Sequence, residues 1–156
     1  MYLSKTVVGN SPELDRLAVE LFKKFARIEY ALKAAGFNDG EGEAKPNWDK
    51  FASSVSGVLE KDPAISAAIK YMIEKPPKKQ VIRNQLLEWE EVTPNASKTH
   101  EILLCVRRVR NNLFHGGKFN GHWFAPERSK ELLRHSLDIL NACLRASPKL
   151  REAFNN

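Results

Sequence analysis

The stretch SPELDRLAVELFKKFARIEYALKAAG, residues 11–36, decides the fold. Its opening Ser11-Pro12-Glu13 joins a capping hydroxyl, a proline preset for the first helical position and a carboxylate that complements the helix dipole. Leu14, Leu17, Ala18, Leu21, Phe25, Ile28 and Leu32 then recur at the spacing that places them on one face of a helix. Gly36, after Ala34-Ala35, supplies the residue that most readily takes the left-handed conformation ending a helix. The pattern predicts a helix over 12–35 whose apolar stripe must be covered by other helices.

One residue interrupts that stripe. Advancing roughly 100° per residue, Glu29 falls beside Ala18, Phe22 and Phe25. A lone charge in such a place pairs or takes up a proton, so Glu29 is expected to meet an arginine or lysine from another helix. The competing reading is a frayed helix end with Glu29 in water.

Downstream, the polar run Asn38-Asp39-Gly40-Glu41-Gly42-Glu43 reads as a loop, and Asn47 as the cap of a short helix carrying Trp48, Phe51, Val55 and Val58. Asp62-Pro63 repeats the cap-and-proline start and predicts a helix over 64–74, ended by Pro76-Pro77. Between Lys78 and Thr93 the period is ambiguous, compatible with a small hairpin or an irregular packed loop. After Thr93-Pro94 a helix is expected from Asn95 or Ser97 to about His115, with Ile102, Val106, Val109 and Leu113 on one stripe. Pro126-Glu127 opens a last helix with Leu133, Leu137, Leu140 and Leu144 facing inward. The short link from Gly116 to Ala125 makes these two helices antiparallel neighbours. Residues after Pro148 read as a loose end, and Trp48 and Trp89 as core. The architecture expected is all-α, an antiparallel bundle of four to five helices in one domain spanning 1–156, with a long first helix.

Composition agrees with that size. The 156 residues are 42% hydrophobic and 28% charged, enough to bury a core, and the net charge of +6 with a pI near 9.4 favours anionic partners, nucleic acid first. Cys105 and Cys143 fall inside apolar periodic segments, which predicts reduced, buried thiols. No targeting segment is evident at the start and no apolar window reaches a membrane-spanning length, so the expected location is cytoplasmic, with no membrane partner.

The chemistry concentrates in Arg107-Arg108-Val109-Arg110-Asn111-Asn112-Leu113-Phe114-His115-Gly116-Gly117-Lys118. Arg107, Asn111 and His115 share one polar helix face. Arg110 borders the apolar stripe instead, where Glu29 is the obvious carboxylate to hold it. An arginine so held keeps spare donors in its planar fork, and those can be aimed at a phosphate. His115 sits where helix carbonyl ends favour imidazolium, beside glycines that leave the backbone open. Asn111, one turn earlier, can hydrogen-bond a ring nitrogen and fix the tautomer. Arg107, Arg108 and Lys118 add positive potential for a polyanion. The bland alternative is a histidine ornamenting a helix end among solvated arginines.

Arg110-Asn111-Asn112-Leu113-Phe114-His115 resembles the signature of the HEPN superfamily, whose ribonucleases carry an arginine, an adjacent polar residue and a histidine after four to six intervening residues; four intervene here. Phe25-Ala26-Arg27-Ile28-Glu29-Tyr30-Ala31-Leu32 and Pro76-Pro77-Lys78-Lys79-Gln80 extend the similarity to small stand-alone bacterial members, although only the arginine-to-histidine motif is specific. The resemblance implies a helical homodimer in which two motifs face one another and cleave RNA without metal or cofactor. It assigns Arg110 to the scissile phosphate, His115 to acid or base work and Asn111 to orienting it. It also implies a toxin, antiphage or stress setting and an antitoxin or regulatory protein as a further partner. Some members are noncatalytic modules that bind nucleotide, RNA or protein, which is the alternative function.

Cleavage without metal requires the 2'-hydroxyl as nucleophile, a base for its proton, a cation for the phosphorane and an acid for the leaving 5'-oxygen. One subunit offers one suitable histidine, so a symmetric pair supplies both. The other histidines, His100, His122 and His135, have no carboxylate or cysteine at metal-ligand spacing and read as surface residues. Phe119, Trp123 and Phe124 either stack on bases or pack their loop onto the bundle. No serine or cysteine shows a nucleophile elbow, and no glycine run a phosphate cradle.

Overall fold

The computed structural model describes residues 12–92, 97–114, 118–119, 122–123 and 125–156, the side chains of 118–119 and 122–123 excepted. Six α-helices carry the fold among these residues: α1 Pro12–Ala34, α2 Trp48–Val55, α3 Ser66–Glu74, α4 Lys98–Phe114, α5 Pro126–Ala146 and α6 Pro148–Asn155. The mostly helical class expected from the apolar periodicity stands. The bundle is less regular than expected, with six helices in place of four to five and an antiparallel hairpin of β1 Lys79–Arg83 and β2 Leu86–Glu90 between α3 and α4. A two-residue ladder, β3 Lys118–Phe119 with β4 His122–Trp123, lies in the link before α5.

The first helix forms as its spacing dictates. Leu14, Leu17, Leu21, Phe25, Ile28 and Leu32 are all buried, and Gly36 takes a φ of +92° that ends the helix. Each such side chain, fully covered, contributes about 1.5–3 kcal/mol of hydrophobic stabilisation. The expected Ser11 cap lies outside the described residues. Asn47 caps α2 through its side-chain oxygen, which accepts from the Lys50 backbone N–H at 2.8 Å. That helix stops at Val55, so Val58 is exposed and not part of its apolar face. Asp62 caps as expected, accepting from the Ala64 N–H at 2.9 Å, but the turn it opens, Pro63–Ile65, is 3-10 before α3 begins.

Side-chain contacts fix the helix directions. Phe22 stacks on Phe114, and the Arg110 guanidinium covers Phe25, so α4 runs antiparallel to α1. Glu13 pairs with Lys130 and Arg134, and Lys24 donates to Asn141, so α5 runs in the same direction as α1. Between α4 and α5 the expected antiparallel packing holds: Val109 and Leu113 line one cavity with Arg128 and Leu132 at one end. At the other end Thr99 donates to Glu60 at 2.8 Å and Arg145 to Asp62 at 2.9 Å.

Three expectations are corrected. The chain after Pro148 is a helix and no loose end: Ser147 caps it, Leu150 is fully buried, and Arg27 donates to the Phe154 carbonyl at 3.0 Å while covering the Phe154 ring. Trp89 is 43% exposed on the hairpin instead of in the core, because its strand pairs with one neighbour and has no sheet to cover it. His135 packs its ring 4.7 Å from that of Tyr71 and donates through Nε2 to the Glu131 carboxylate at 3.2 Å, partly covered where a surface position is expected. Trp48 is core as expected, and both cysteines are free and buried. Burial raises their thiols, Cys105 to about 11 and Cys143 to about 12. Among the described residues no helix is long and apolar enough to cross a membrane.

Candidate functional site

Arg110 and Asn111 occupy the last turn but one of α4, at the edge where that helix meets α1. Arg110 is half-buried because its position borders the buried stripe of Ile102, Val106 and Val109, while Asn111 on the outward face is exposed. The guanidinium carbon lies 5.3 Å from the centre of the Phe25 ring and 4.9 Å from that of Phe114. One Nη1 donor reaches the Asn111 carboxamide oxygen at 3.0 Å. The charge is thus held by two aromatic faces and one neutral oxygen, an arrangement that orients a cation without neutralising it.

The expected partner is engaged elsewhere. Glu29 accepts a hydrogen bond from the Trp48 indole Nε1 at 2.8 Å, and Arg110 forms no ion pair with a described carboxylate. The reason lies in the packing of α2. Trp48 at its first position stacks on Phe25 with ring centres 5.3 Å apart, one turn before Glu29 on α1, which carries its N–H to the carboxylate. A partly exposed carboxylate with one neutral donor keeps water for its remaining lone pairs, so no cation is required. Helical spacing located the interruption in the stripe correctly and chose the wrong donor.

Arg107 and Arg108 are half-buried on α4, Arg107 one turn before Asn111 and Arg108 turned toward another side. They therefore share the helix with Arg110 without converging on one point. His115 and Gly116-Gly117 lie outside the described residues, as does the side chain of Lys118, whose backbone belongs to β3. The side chains of Phe119, His122, Trp123 and Phe124 fall outside them too.

Two features escaped the sequence reading. Val19, Phe22 and Tyr30 on α1 and Phe114 at the end of α4 are exposed at 53%, 49%, 66% and 59%, and Phe22 stacks on Phe114, whose ring also meets the Arg110 guanidinium. Helical spacing ranks Phe22 with the buried stripe, whereas in the structure it stays half exposed beside Phe114. A cavity of about 310 Å³ lies behind the same end of α4, between the hairpin and the start of α5. Its signal was unreadable because its walls come from segments far apart in sequence. Among the described residues, no three His, Cys, Asp or Glu side chains are grouped so as to hold a metal ion.

No protein-family model, curated protein or solved structure matches the chain.

Proposed function

We propose that this protein is an endoribonuclease of HEPN type that works as a homodimer and cleaves RNA by attack of the 2'-hydroxyl. The observation that carries the reading is the state of Arg110: a guanidinium fixed over Phe25 and Phe114, tied to Asn111, and paired with no described carboxylate. Its unspent charge and donors suit a phosphorane, whose charge grows in the transition state and rewards donors already in place. Asn111 uses its oxygen on Arg110, so its NH2 group is the part that can donate to an imidazole nitrogen of His115 and set which nitrogen carries the proton. One His115 takes the 2'-hydroxyl proton and the other, from the partner copy, protonates the leaving 5'-oxygen; the product is a 2',3'-cyclic phosphate.

Exposed apolar residues on α1 support the pairing. A stable isologous contact covers roughly 800 Å² per partner around apolar anchors, and Val19, Phe22 and Tyr30 offer such anchors on the helix whose Phe25 meets Arg110. Incubation of wild type, His115→Ala and Arg110→Ala with RNA in chelator tests the reading. Cleavage by wild type alone, leaving a cyclic phosphate, is expected. Equal cleavage by His115→Ala and wild type sinks it, and DNA is expected to survive all three.

A further inference from the structure

The cavity behind α4 has a composition that selects its occupant. Val109, Leu113, Leu132 and Leu133 give it apolar walls, and Trp89 lines it as well. Among the described residues no aspartate or glutamate lines it, yet Lys78 and Arg128 do. Arg128 donates to the Tyr71 hydroxyl at 2.7 Å and to the Lys75 and Pro76 carbonyls at 2.7 and 3.0 Å, all neutral oxygens. Neither Arg128 nor Lys78 forms an ion pair with a described carboxylate.

We infer that this cavity is a binding site for a small amphipathic anion, a flat apolar or aromatic body carrying one carboxylate or phosphate-like group. The body lies among the leucines and against Trp89, and the anionic group meets Lys78 and Arg128 at the polar side. Size, wall chemistry and charge each select that class. The volume of about 310 Å³ is at the lower bound of small-molecule sites and admits a bicyclic ring with one substituent. Apolar walls with few polar groups bind by burial and orient by those groups. Uncompensated positive charge beside a low-dielectric wall favours an anion over a neutral or cationic ligand, since a cation there would meet two like charges.

The position adds a consequence. Asn112 and Leu113 line the cavity and directly follow Arg110 and Asn111 in α4. Asn112 also donates to the Lys78 carbonyl at 2.8 Å, joining α4 to the base of the hairpin. A ligand seated there touches the two residues that follow the candidate catalytic pair.

The test uses the full chain, with 1-naphthoate as probe and 1-naphthamide as its neutral match, followed by amide and indole NMR signals. Saturable shifts of the Trp89 indole N–H and of Asn112 and Leu113 are expected with naphthoate. Naphthamide should bind about tenfold more weakly, the effect of losing one charge-assisted contact. Arg128 also ties down α3, so Lys78→Gln, at an exposed side chain, tests the charge with the fold intact and should weaken naphthoate about tenfold. Leu132→Trp, which fills the space, should abolish the shifts. Absence of saturable shifts in wild type overturns the inference, and so does equal binding of the two probes or shifts confined to other residues. The experiment involves no RNA, so its outcome is independent of the ribonuclease reading.

Discussion

The Trp48 indole N–H donates to the Glu29 carboxylate at 2.8 Å, in a place where helical spacing alone calls for an arginine or lysine. Trp48 is 4% exposed, so removing its acceptor strands a donor that water reaches poorly. Glu29→Ala is expected to lower stability by about 1–3 kcal/mol, the range for a buried donor left unsatisfied. Glu29→Gln keeps an oxygen for the indole and should cost less. Urea unfolding monitored by tryptophan fluorescence reads both; a Gln variant no more stable than the Ala variant would contradict the role given to this bond.

That pair also shows how far the sequence can be read. The stripe from Leu14 to Leu32 was legible because a helix repeats its buried face at fixed intervals, and the interruption at Glu29 was legible for the same reason. Its partner was not, since a short helix starting at Trp48 supplies a neutral N–H that no charge pattern announces. The hairpin stayed ambiguous for two reasons. Its turn uses Asn84 and Gln85 at φ of 52° and 64°, without the glycine that marks such turns, and Ile82, Leu87 and Trp89 expose the residues that usually signal a core. The α6 helix carried the cap-and-proline signature of Ser147 and Pro148, but eight residues with one buried side chain make too short a stripe to read. Of the candidate site, Arg110 and Asn111 came together as neighbours, while the aromatic bed under the guanidinium needed α1 and α4 to be placed first.

Because Arg110 is held by rings, its removal has a different cost from the one an ion pair would impose. Breaking a buried pair costs about 3–5 kcal/mol by stranding the other charge. Arg110→Ala leaves no such charge and should lose about 1 kcal/mol or less, the scale of a cation–π contact at a partly exposed site. RNA cleavage should nevertheless disappear. Arg110→Lys keeps the charge without the planar fork and should retain a minor fraction of activity. Parallel melts and cleavage assays separate the effects; an unfolded Arg110→Ala would refute the description of its surroundings.

The stacked pair of Phe22 and Phe114, with centres 6.4 Å apart and planes within 4°, bears on assembly. Phe22 is 49% exposed, so a charge placed there disturbs the core little and an apolar interface strongly. Phe22→Asp is expected to convert a dimer to monomer in sedimentation velocity, to abolish cleavage, and to shift the melting temperature only slightly. If the wild-type chain sediments as a monomer at all concentrations tested, the composite site falls.

Leu150 anchors α6 in the core, fully buried, while Arg27 of α1 reaches the far end of the same helix. Truncation to alanine should cost about 2–5 kcal/mol, as core leucines do. A loss near zero in urea denaturation would mean that α6 is detached in solution. Phe154→Ala, at a half-buried residue under the Arg27 guanidinium, should cost clearly less than Leu150→Ala.

The cysteines give the fold an alkaline weakness whose sign follows from their protons. Burial pushes Cys105 up to about 11 and Cys143 up to about 12, whereas thiols in an unfolded chain titrate at about 8.5. Above that pH the folded state holds protons that the unfolded state releases, so stability falls as pH rises toward the folded values. The urea midpoint should therefore drop between about pH 7.5 and about pH 10.5, and drop less in Cys143→Ala than in wild type. Both thiols should react slowly with a disulfide reagent near pH 8 in the native protein and promptly in urea, because only the thiolate attacks. A pH slope unchanged by Cys143→Ala would show that other groups carry the alkaline loss.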